Sequence, residues 1–421
     1  GSDLGLLRTK AEPTDTGQYR LYGSKIFISS GDHDLAENIV HLVLARLPGA
    51  PEGSRGISLF VVPKFKVGND GSIGVLNNVH CGSVEHKMGL KGSATCVMNF
   101  DGAEGFLLGP ANKGLSCMFT FINKSRLGVA VQGQAQAEGA FQMSRAYAKD
   151  RLQGRSPCGE TSKDKIADPI AAQPDVQRML LNQQVICEGG RVLAHFCAKL
   201  VDKCHSTDKQ EAAEASELLS LLTPIAKGCL SEWGSEACDA GIQIFGGHGY
   251  IQEWGIEQRL RDVRITRIYE GTNGIQGLDF LGRKVLLDGG KVLQRYLDEI
   301  QLFAESCQSI EHVMPLAKAL QRCLMEWQAL NKNVFSRVGP AGYVEVIAFD
   351  YLMYSGYIVL AYQWLQIAKA ASIKTDIVSK ERMSKKLVAA RYCFFHVLPR
   401  ASAHREAILI GGDVILNTLE H

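Results

Sequence analysis

The sequence has 421 residues, of which 46% are apolar, and a formal net charge of +2 at pH 7. A chain of this length is expected to form two or three domains, and its small net charge gives no general attraction to nucleic acid. Twelve cysteines occur without C-x-x-C pairs or Cys/His ligand spacing, which argues against a disulfide framework and a metal site. This scattered distribution of cysteines predicts a reducing compartment, either a bacterial cytoplasm or one like the mitochondrial matrix.

Residues 1–112 have the pattern of an antiparallel β domain. Short alternating or apolar runs are separated by Gly, Pro, Asn and Asp, as an antiparallel sheet or barrel requires. The predicted strands are Tyr19–Tyr22, Lys25–Ser29, Asn38–Leu47, Ile57–Val62 and Thr95–Phe100. The sequence starts with Gly1 and no signal peptide follows, so we expect a fragment boundary at this end.

The pattern becomes helical after Leu115 and predicts two helical domains, at residues 113–287 and 288–421. Long stretches rich in Ala, Leu, Gln and Glu replace the short apolar runs, and Gly289 and Gly290 separate the two domains. The predicted helices are Phe119–Arg151, Asp175–Asp202 and Ala212–Ile244 in the first domain, and Lys291–Cys307, Met314–Lys332, Val344–Ser372 and Ser379–Val397 in the second.

One stretch, Tyr351–Ala368, carries no charge and approaches the length of a bilayer span. It contains Ser355, Gly356, Gln363 and Gln366. These polar and small residues favour a buried helix of a helical bundle, and we expect no membrane span.

The segment from Gln243 to Gln276 is the most informative part of the chain. It reads Q-I-F-G-G-H-G-Y and, about twenty residues later, R-I-Y-E-G-T-N-G-I-Q. Gly246 and Gly247 are expected to end a helix and to leave backbone N–H groups available to a phosphate.

Glu270 is the candidate catalytic base. It follows a segment, Arg259–Arg267, with four arginines and one aspartate, and its neighbours are apolar residues and glycine. A carboxylate removed from water in such a place has its pKa raised towards neutrality, which suits removal of a weakly acidic proton. The spacing alone also allows a solvated glutamate in a turn that follows a helix end.

The two motifs together resemble the C-terminal signature of the acyl-CoA dehydrogenase flavoproteins. The resemblance covers about residues 1–287, and the region beyond is similar to the extra helical domain of the larger subgroup that includes 3-methylmercaptopropionyl-CoA dehydrogenase. It implies an α+β fold of the acyl-CoA dehydrogenase type, in which an antiparallel β domain precedes a helical bundle and an additional C-terminal helical domain. The N-terminal helical domain of the family has no counterpart in this sequence and is expected to be absent from the chain.

The resemblance assigns flavin contacts in the β domain. The segments that contain Ser2 and Lys25–Gly31 are similar to flavin-contacting motifs of the family. Phe27 would lie against the flavin ring, Ile28 would contact the cofactor beside it, and the Ser29 hydroxyl would hydrogen-bond near the hydride-accepting nitrogen. Without the resemblance, Phe27 is an inward-facing strand residue and Ser29 is a turn hydroxyl.

Further FAD contacts are implied in the helical domain. They are Arg151, Gln153, Gln243, Gly246, Gly247, Thr272 and Asn273. The first two would contact the pyrophosphate, the segment that begins at Gln243 would reach the FAD of a neighbouring subunit, and the last two would hold the pyrophosphate or adenosine end. A complete site would therefore require at least a dimer. His248 is interpreted as a turn residue.

The acyl-CoA site implied by the resemblance consists of Asn123, Ser125, Arg126, Tyr269 and Gly271. Asn123 and Arg126 would face the acyl-CoA, and a structural ion pair is the alternative for the arginine. Some relatives carry the catalytic glutamate at the position that aligns with Ser125. Serine cannot serve as that base, so Glu270 remains the candidate.

The resemblance implies FAD-dependent α,β-dehydrogenation of an acyl-CoA thioester to the trans-2-enoyl-CoA. Glu270 would remove the α-proton while the β-hydrogen leaves as a hydride to flavin N5. The expected partners are the acyl-CoA substrate, an electron acceptor such as electron-transfer flavoprotein, and further copies of the chain in a homodimer or homotetramer.

Other functions of the same fold remain open. An acyl-CoA oxidase, a nucleic-acid-associated flavoprotein or a flavin-free structural member would share much of the pattern. The basic cluster between Lys374 and Arg405 is the basis for nucleic-acid binding, but its helical spacing favours a solvated helix face, and we expect no nucleic-acid partner.

Overall fold

The computed structural model describes residues 3–373 and 379–416 of the chain. The chain divides into two compact units, Gly1–Ser125 and Arg126–His421. The first consists mainly of strands and the second of helices, which confirms the predicted fold class. Ser2, predicted to contact the flavin, and Lys374, the start of the predicted basic cluster, lie outside the described residues.

The first unit is built on an extensively hydrogen-bonded β-sheet. Its strands are β1 (Lys10–Pro13), β2 (Tyr19–Ser29), β3 (Val40–Arg46), β4 (Ile57–Pro63), β5 (Phe65–Val67), β6 (Ile73–Leu76), β7 (Val79–Val84) and β8 (Thr95–Leu108). The main sheet has the order β2-β1-β3-β4-β8-β7, and β2 also pairs with β8, so that five of these strands form a closed ring. All pairings are antiparallel except a short parallel contact between β1 and β3.

The core of this unit follows the alternation of the strands. Leu21, Phe60, Met98 and Phe100 are at most 2% exposed. On β2, the residues on either side of Leu21 are exposed, as a two-residue period requires, whereas β4, which contains Phe60, is buried along most of its length. The two predicted strands Tyr19–Tyr22 and Lys25–Ser29 are one continuous strand, because Gly23 takes a φ of +132° and lets the strand pass close to a neighbour. Four short strands, β1, β5, β6 and β7, were not predicted from the sequence.

The second unit is helical, and the chain enters it within its first helix. The helices are α1 (Gly114–Asp150), α2 (Pro174–Lys203), α3 (Lys209–Phe245), α4 (Ile256–Val263), α5 (Asn273–Leu278), α6 (Lys291–Glu305), α7 (Met314–Arg337), α8 (Tyr343–Ile373), α9 (Lys380–Tyr392), α10 (Arg400–Ile410) and α11 (Asp413–Leu416). The seven long predicted helices are confirmed within a few residues, apart from the last. There α9 ends at Tyr392, a π-helical turn follows, and α10 begins at Arg400, directly after Pro399.

The long helix α3 packs against α1, α2 and α8. Its contact with α1 is close because two glycines meet there: a Cβ added to Gly234 would lie 2.6 Å from the carbonyl oxygen of Gly133. On another side of α3, a Cβ added to Gly356 of α8 would lie 2.2 Å from Cys229 Sγ. Small residues therefore set the spacing between these helices.

Helix α8 is long and apolar enough to cross a membrane by length and composition, but 72% of its most apolar window is buried inside the structure. It lies against α2, α3, α5 and α10, and the Trp364 indole donates a hydrogen bond to the Val185 carbonyl at 3.0 Å. This burial is what we expected for the core helix of a bundle.

Candidate functional site

The turn around Glu270 has an unusual backbone. Glu270 has a φ of +55° and Gly271 a φ of +88°, between a 3₁₀ turn that ends at Arg267 and the start of α5. Glycine adopts this region freely, but a glutamate there costs on the order of 1–3 kcal/mol. Glu270 is half-buried. Backbone strain of this kind concentrates at functional sites, which supports the choice of Glu270 as the candidate base.

Three side chains hold the carbonyl groups of this turn. Gln276 Nε2 donates to the Glu270 carbonyl at 3.1 Å, and Arg126 Nε lies 3.4 Å from the same oxygen. Lys227 Nζ donates to the Gly271 carbonyl at 2.6 Å. Two of the three donors carry positive charge, so the strained turn is fixed by charge-assisted hydrogen bonds.

Arg126 forms a buried ion pair with Asp279. The distance between Nη1 and Oδ2 is 2.9 Å, and the two side chains are 6% and 8% exposed. The structural ion pair that was the alternative for Arg126 is therefore present. Contact of Arg126 with acyl-CoA stays a prediction, and so does that of Asn123, which is exposed on α1, and of half-buried Ser125.

Lys227 is fully buried on α3. Besides the Gly271 carbonyl, its Nζ contacts Asn273 Oδ1 at 3.0 Å. Burial lowers the pKa of Lys227 to about 8; the nearby Arg126 acts in the same direction, and Glu232 and Glu270 oppose it. A lone lysine within the apolar run Leu221–Leu230 was a signal in the sequence that could have pointed to this residue.

Asn273 is buried, and its side chain faces the interior of the helical unit. Its Nδ2 donates to Ser231 Oγ at 2.9 Å and to Glu232 Oε1 at 2.8 Å, and Glu232 pairs with Arg267 at 2.6 Å. Any contact between Asn273 and FAD would therefore have to come from its backbone. The half-buried Thr272 caps α5, since its hydroxyl accepts a hydrogen bond from the Ile275 N–H at 3.3 Å.

Tyr269 is fixed against α1. Its hydroxyl donates to Gln132 Oε1, and burial raises the pKa of the phenol. The residue that precedes the base is thus held from α1, while the residues that follow it are held from α3. Tyr269 and Gly271 flank Glu270 as the predicted acyl-CoA site requires, and their contact with substrate stays a prediction.

The glycine turn after α3 is exposed. The helix ends at Phe245, and Gly246 takes a φ of +60°, which confirms the predicted helix end. Gln243, Gly246 and Gly247 are exposed. His248 lies in the same turn, where its ring stacks on Trp254 at 4.4 Å and its Nδ1 is 2.9 Å from the Tyr147 hydroxyl.

Arg151 and Gln153 are exposed at the start of the loop that joins α1 to α2. The base of this loop is closed by hydrogen bonds such as that from the Gln153 N–H to the Asp168 carbonyl at 3.0 Å. The Asp168 carboxylate is fully buried and accepts from the N–H groups of Ser156 at 2.9 Å and Ser162 at 2.8 Å. These and further donors lower its pKa to about 2. No feature of the sequence indicated this role of Asp168.

In the β unit, Phe27 has a φ of +59° and is 69% exposed. It lies at an irregularity in the pairing of β2 with β8, between Lys25 and Ile28. Phe27 is therefore not an inward-facing strand residue, and that alternative is wrong. Ser29 is exposed at the end of β2 and Ile28 beside it is half-buried. Like Glu270, Phe27 combines a left-handed backbone with a side chain that the predicted site requires.

Three family models match successive parts of the chain. "Acyl-CoA dehydrogenase, middle domain" matches residues 1–103, "Acyl-CoA dehydrogenase, C-terminal domain" matches residues 112–286, and "Acetyl-CoA dehydrogenase C-terminal like" matches residues 296–418.

Curated relatives give the same family. The chain is 47% identical to 3-methylmercaptopropionyl-CoA dehydrogenase of Ruegeria pomeroyi over 71% of its own length and 50% of that protein. It is 31% identical to a butyryl-CoA dehydrogenase of Syntrophomonas wolfei over 95% of its own length and 67% of that protein. The chain spans about half the length of the first curated relatives it matches.

Two solved structures share the fold. Caenorhabditis elegans ACDH-11 superimposes with a TM-score of 0.75 at 24% identity, over 99% of this chain and 67% of that one. An acyl-CoA dehydrogenase of Bacillus anthracis complexed with FAD gives a TM-score of 0.73 at 24% identity, over 98% of this chain and 68% of that one.

Proposed function

Because this chain belongs to the acyl-CoA dehydrogenase family, we propose that the protein catalyses FAD-dependent α,β-dehydrogenation of an acyl-CoA thioester, with Glu270 as the base. The observation that carries the proposal is the conformation of Glu270. A half-buried glutamate at a φ of +55° is maintained by donors from two other helices, and such a position is expected where a carboxylate has to be aimed.

The residues present fit the cofactor. Phe27 offers an exposed aromatic face, and exposed Arg151 offers a charge for a pyrophosphate. A Cβ added to Gly246 or Gly247 would meet nothing within 4 Å, so a ligand can approach this backbone closely. The residues that would hold FAD are Phe27, Ile28, Ser29, Arg151, Gln153, Gln243, Gly246, Gly247 and Thr272. Bound FAD would supply the acceptor for the hydride that leaves the β-carbon.

The work of the chain itself is proton removal and orientation. Glu270 in its ionised form accepts the α-proton of the thioester, and a positioned base of this kind contributes on the order of 10²–10⁴-fold to the rate. Tyr269 is held by Gln132 on one side of the base, and Lys227 holds Gly271 on the other. The base is thereby oriented before substrate binds, which lowers the cost of reaching the reactive geometry.

The substrate and the partners complete the proposal. The names of the relatives in Ruegeria pomeroyi and Syntrophomonas wolfei refer to short acyl groups, 3-methylmercaptopropionyl and butyryl, and we take short-chain thioesters as the first substrates to test. Electron-transfer flavoprotein is the proposed acceptor. A homodimer or homotetramer is the proposed assembly, since Gln243, Gly246 and Gly247 would serve a neighbouring subunit.

An anaerobic titration tests the function. The flavin spectrum of the purified protein is recorded while butyryl-CoA, 3-methylthiopropionyl-CoA and longer thioesters are added in turn. Loss of the oxidised flavin absorbance with one thioester is the expected result. A bound flavin that stays oxidised with every thioester would overturn the proposal. Rapid oxygen consumption with the reactive thioester would identify the protein as an acyl-CoA oxidase instead of a dehydrogenase.

A further inference from the structure

Lys227 occupies a place where a charged side chain is costly. It lies in the middle of α3, with Leu222, Ile225, Ala226 and Leu230 nearby in the sequence, and its exposed fraction is 0%. A buried ammonium group requires partners, because removal from water disfavours its charged form. An apolar residue of similar length would avoid this cost, so the helix packing does not explain the lysine.

The partners of Lys227 are both in the segment that follows the base. Its Nζ donates to the Gly271 carbonyl at 2.6 Å and to Asn273 Oδ1 at 3.0 Å. One turn further along α3, Ser231 Oγ accepts from Asn273 Nδ2 at 2.9 Å. Residues four apart lie on the same face of a helix, so Lys227 and Ser231 both attach residues 271–273 to α3. Glu232 of the same helix adds a further attachment through Asn273 Nδ2 at 2.8 Å.

The charges around Lys227 come from several elements. Arg126 of α1 and Glu232 of its own helix act on it, as does Glu270 from the turn. Arg267 pairs with Glu232. With a pKa lowered to about 8, Lys227 is mostly protonated at pH 7 and brings a positive charge to the inner side of the turn.

We propose that Lys227 is a positioning residue: it keeps the strained Glu270–Gly271 turn in the conformation that aims the Glu270 carboxylate and places a positive charge behind it. The catalytic part of this inference, the aiming of the Glu270 carboxylate, rests on the proposed function. Its structural part, the attachment of the turn to α3, stands on the hydrogen bonds to Gly271 and Asn273 alone. Nothing in the role requires Lys227 to touch the substrate or FAD.

The test compares Lys227→Met with the wild type. Methionine keeps the length of the side chain and removes the charge and the donor. We expect the rate of flavin reduction by the reactive thioester to fall about 10²-fold, the size of effect that a misplaced catalytic group produces. The fall of this rate above about pH 8, where Lys227 with its lowered pKa loses its proton in the wild type, should be absent from the pH profile of the variant. FAD should still bind.

A second readout needs neither FAD nor thioester. Amide hydrogen exchange of the segment 269–276 should be faster in Lys227→Met than in the wild type, because the hydrogen bonds from Lys227 to Gly271 and Asn273 are lost. The matched control is Lys209→Met, which removes an exposed lysine from the same helix and should leave the exchange, the reduction rate and the pH profile unchanged.

The outcomes separate this inference from the proposed function. Absence of flavin reduction in the wild type is a failure of the proposed function, and the exchange experiment then still decides whether Lys227 holds the turn. Lys227→Met with the wild-type rate and pH profile, even with a lower melting temperature, would show a packing role only and overturn the inference. If Lys227→Met does not fold, Lys227→Gln, which keeps a neutral donor, should show a smaller rate loss and the same loss of the pH dependence near pH 8. A wild-type profile there overturns the inference equally.

Discussion

Substitutions in the buried pair Arg126–Asp279 can decide whether the arginine stabilises the fold or binds the substrate. We consider Asp279→Leu, which replaces the carboxylate by an apolar side chain of similar size, together with Arg126→Met and the double variant. Both partners of the pair are nearly buried, and their charged atoms are 2.9 Å apart. Asp279 has a second partner, Arg283, at 3.6 Å, but the Arg283 side chain is 65% exposed.

The expected loss can be worked out from this geometry. With about 4 Å between charge centres and an effective dielectric constant of about 20, the attraction is about 4 kcal/mol. Asp279→Leu leaves the buried charge of Arg126 without this counter-ion, which typically lowers the free energy of unfolding by about 3–5 kcal/mol. For a helical unit of this size the melting temperature should fall by about 5–8 °C. The double variant should recover most of the loss, because neither charge remains.

Thermal and urea unfolding of the four proteins give the coupling energy between the two positions. Arg283→Ala is the control, since loss of the exposed partner of the same carboxylate should cost less than about 1 kcal/mol. A coupling energy below about 1 kcal/mol would refute the structural account. So would an Arg126→Met protein with an unchanged melting temperature and only a raised KM for the thioester, which would assign the arginine to the substrate.

Three other predictions concern the base, the helix packing and the α1–α2 loop. Glu270→Gln should slow flavin reduction by about 10²–10⁴-fold in stopped-flow absorbance without a change in melting temperature, whereas exposed Glu253→Gln should not, and retained activity would remove Glu270 as the base. Gly234→Ala places a Cβ 2.6 Å from a carbonyl of α1 and should destabilise the helical unit by about 1–3 kcal/mol in urea unfolding. Gly128→Ala, with nothing within 4 Å, should instead stabilise it by up to about 1 kcal/mol, and equal effects would refute the packing argument. Because the pKa of Asp168 is lowered from 3.8 to about 2 in the folded chain, its contribution to stability is present above about pH 4 and lost as the pH falls towards 2. The free energy of unfolding of the wild type should therefore fall more steeply over this range than that of Asp168→Asn, and parallel curves would contradict the assignment.

The sequence was most informative where local pattern and structure coincide. Long helices such as α3 were predicted nearly to their ends, because their apolar residues recur at helical spacing and glycine terminates them. The fold class and the candidate base followed from a family signature. The left-handed backbone of Phe27 and Glu270 could not be predicted, since non-glycine residues adopt it only when the surrounding structure imposes it.

Side-chain networks were the other part that the sequence did not disclose. Asp168 and Lys227 each act on residues that are distant in the chain or scattered through a loop, and no periodic pattern marks them. Asn273 was expected at the cofactor, but its side chain bonds to Ser231 and Glu232. Short strands such as β7 were missed because pairing with β8 stabilises a sequence that has little strand character of its own.

The central position of α8 has a consequence for how the protein is made. Cys229 of α3 approaches the Leu352 carbonyl across 123 residues of sequence, and Val185 of α2 accepts a hydrogen bond from Trp364 across 179 residues. Ribosomes add about 5–20 residues per second, so α2 waits roughly 10–35 s for the helix that covers it. During this interval the apolar faces of the nascent helices stay open to chaperones and to one another. The C-terminal region is thus the last-made part of the core, and premature termination before α8 would release a chain with that core uncovered.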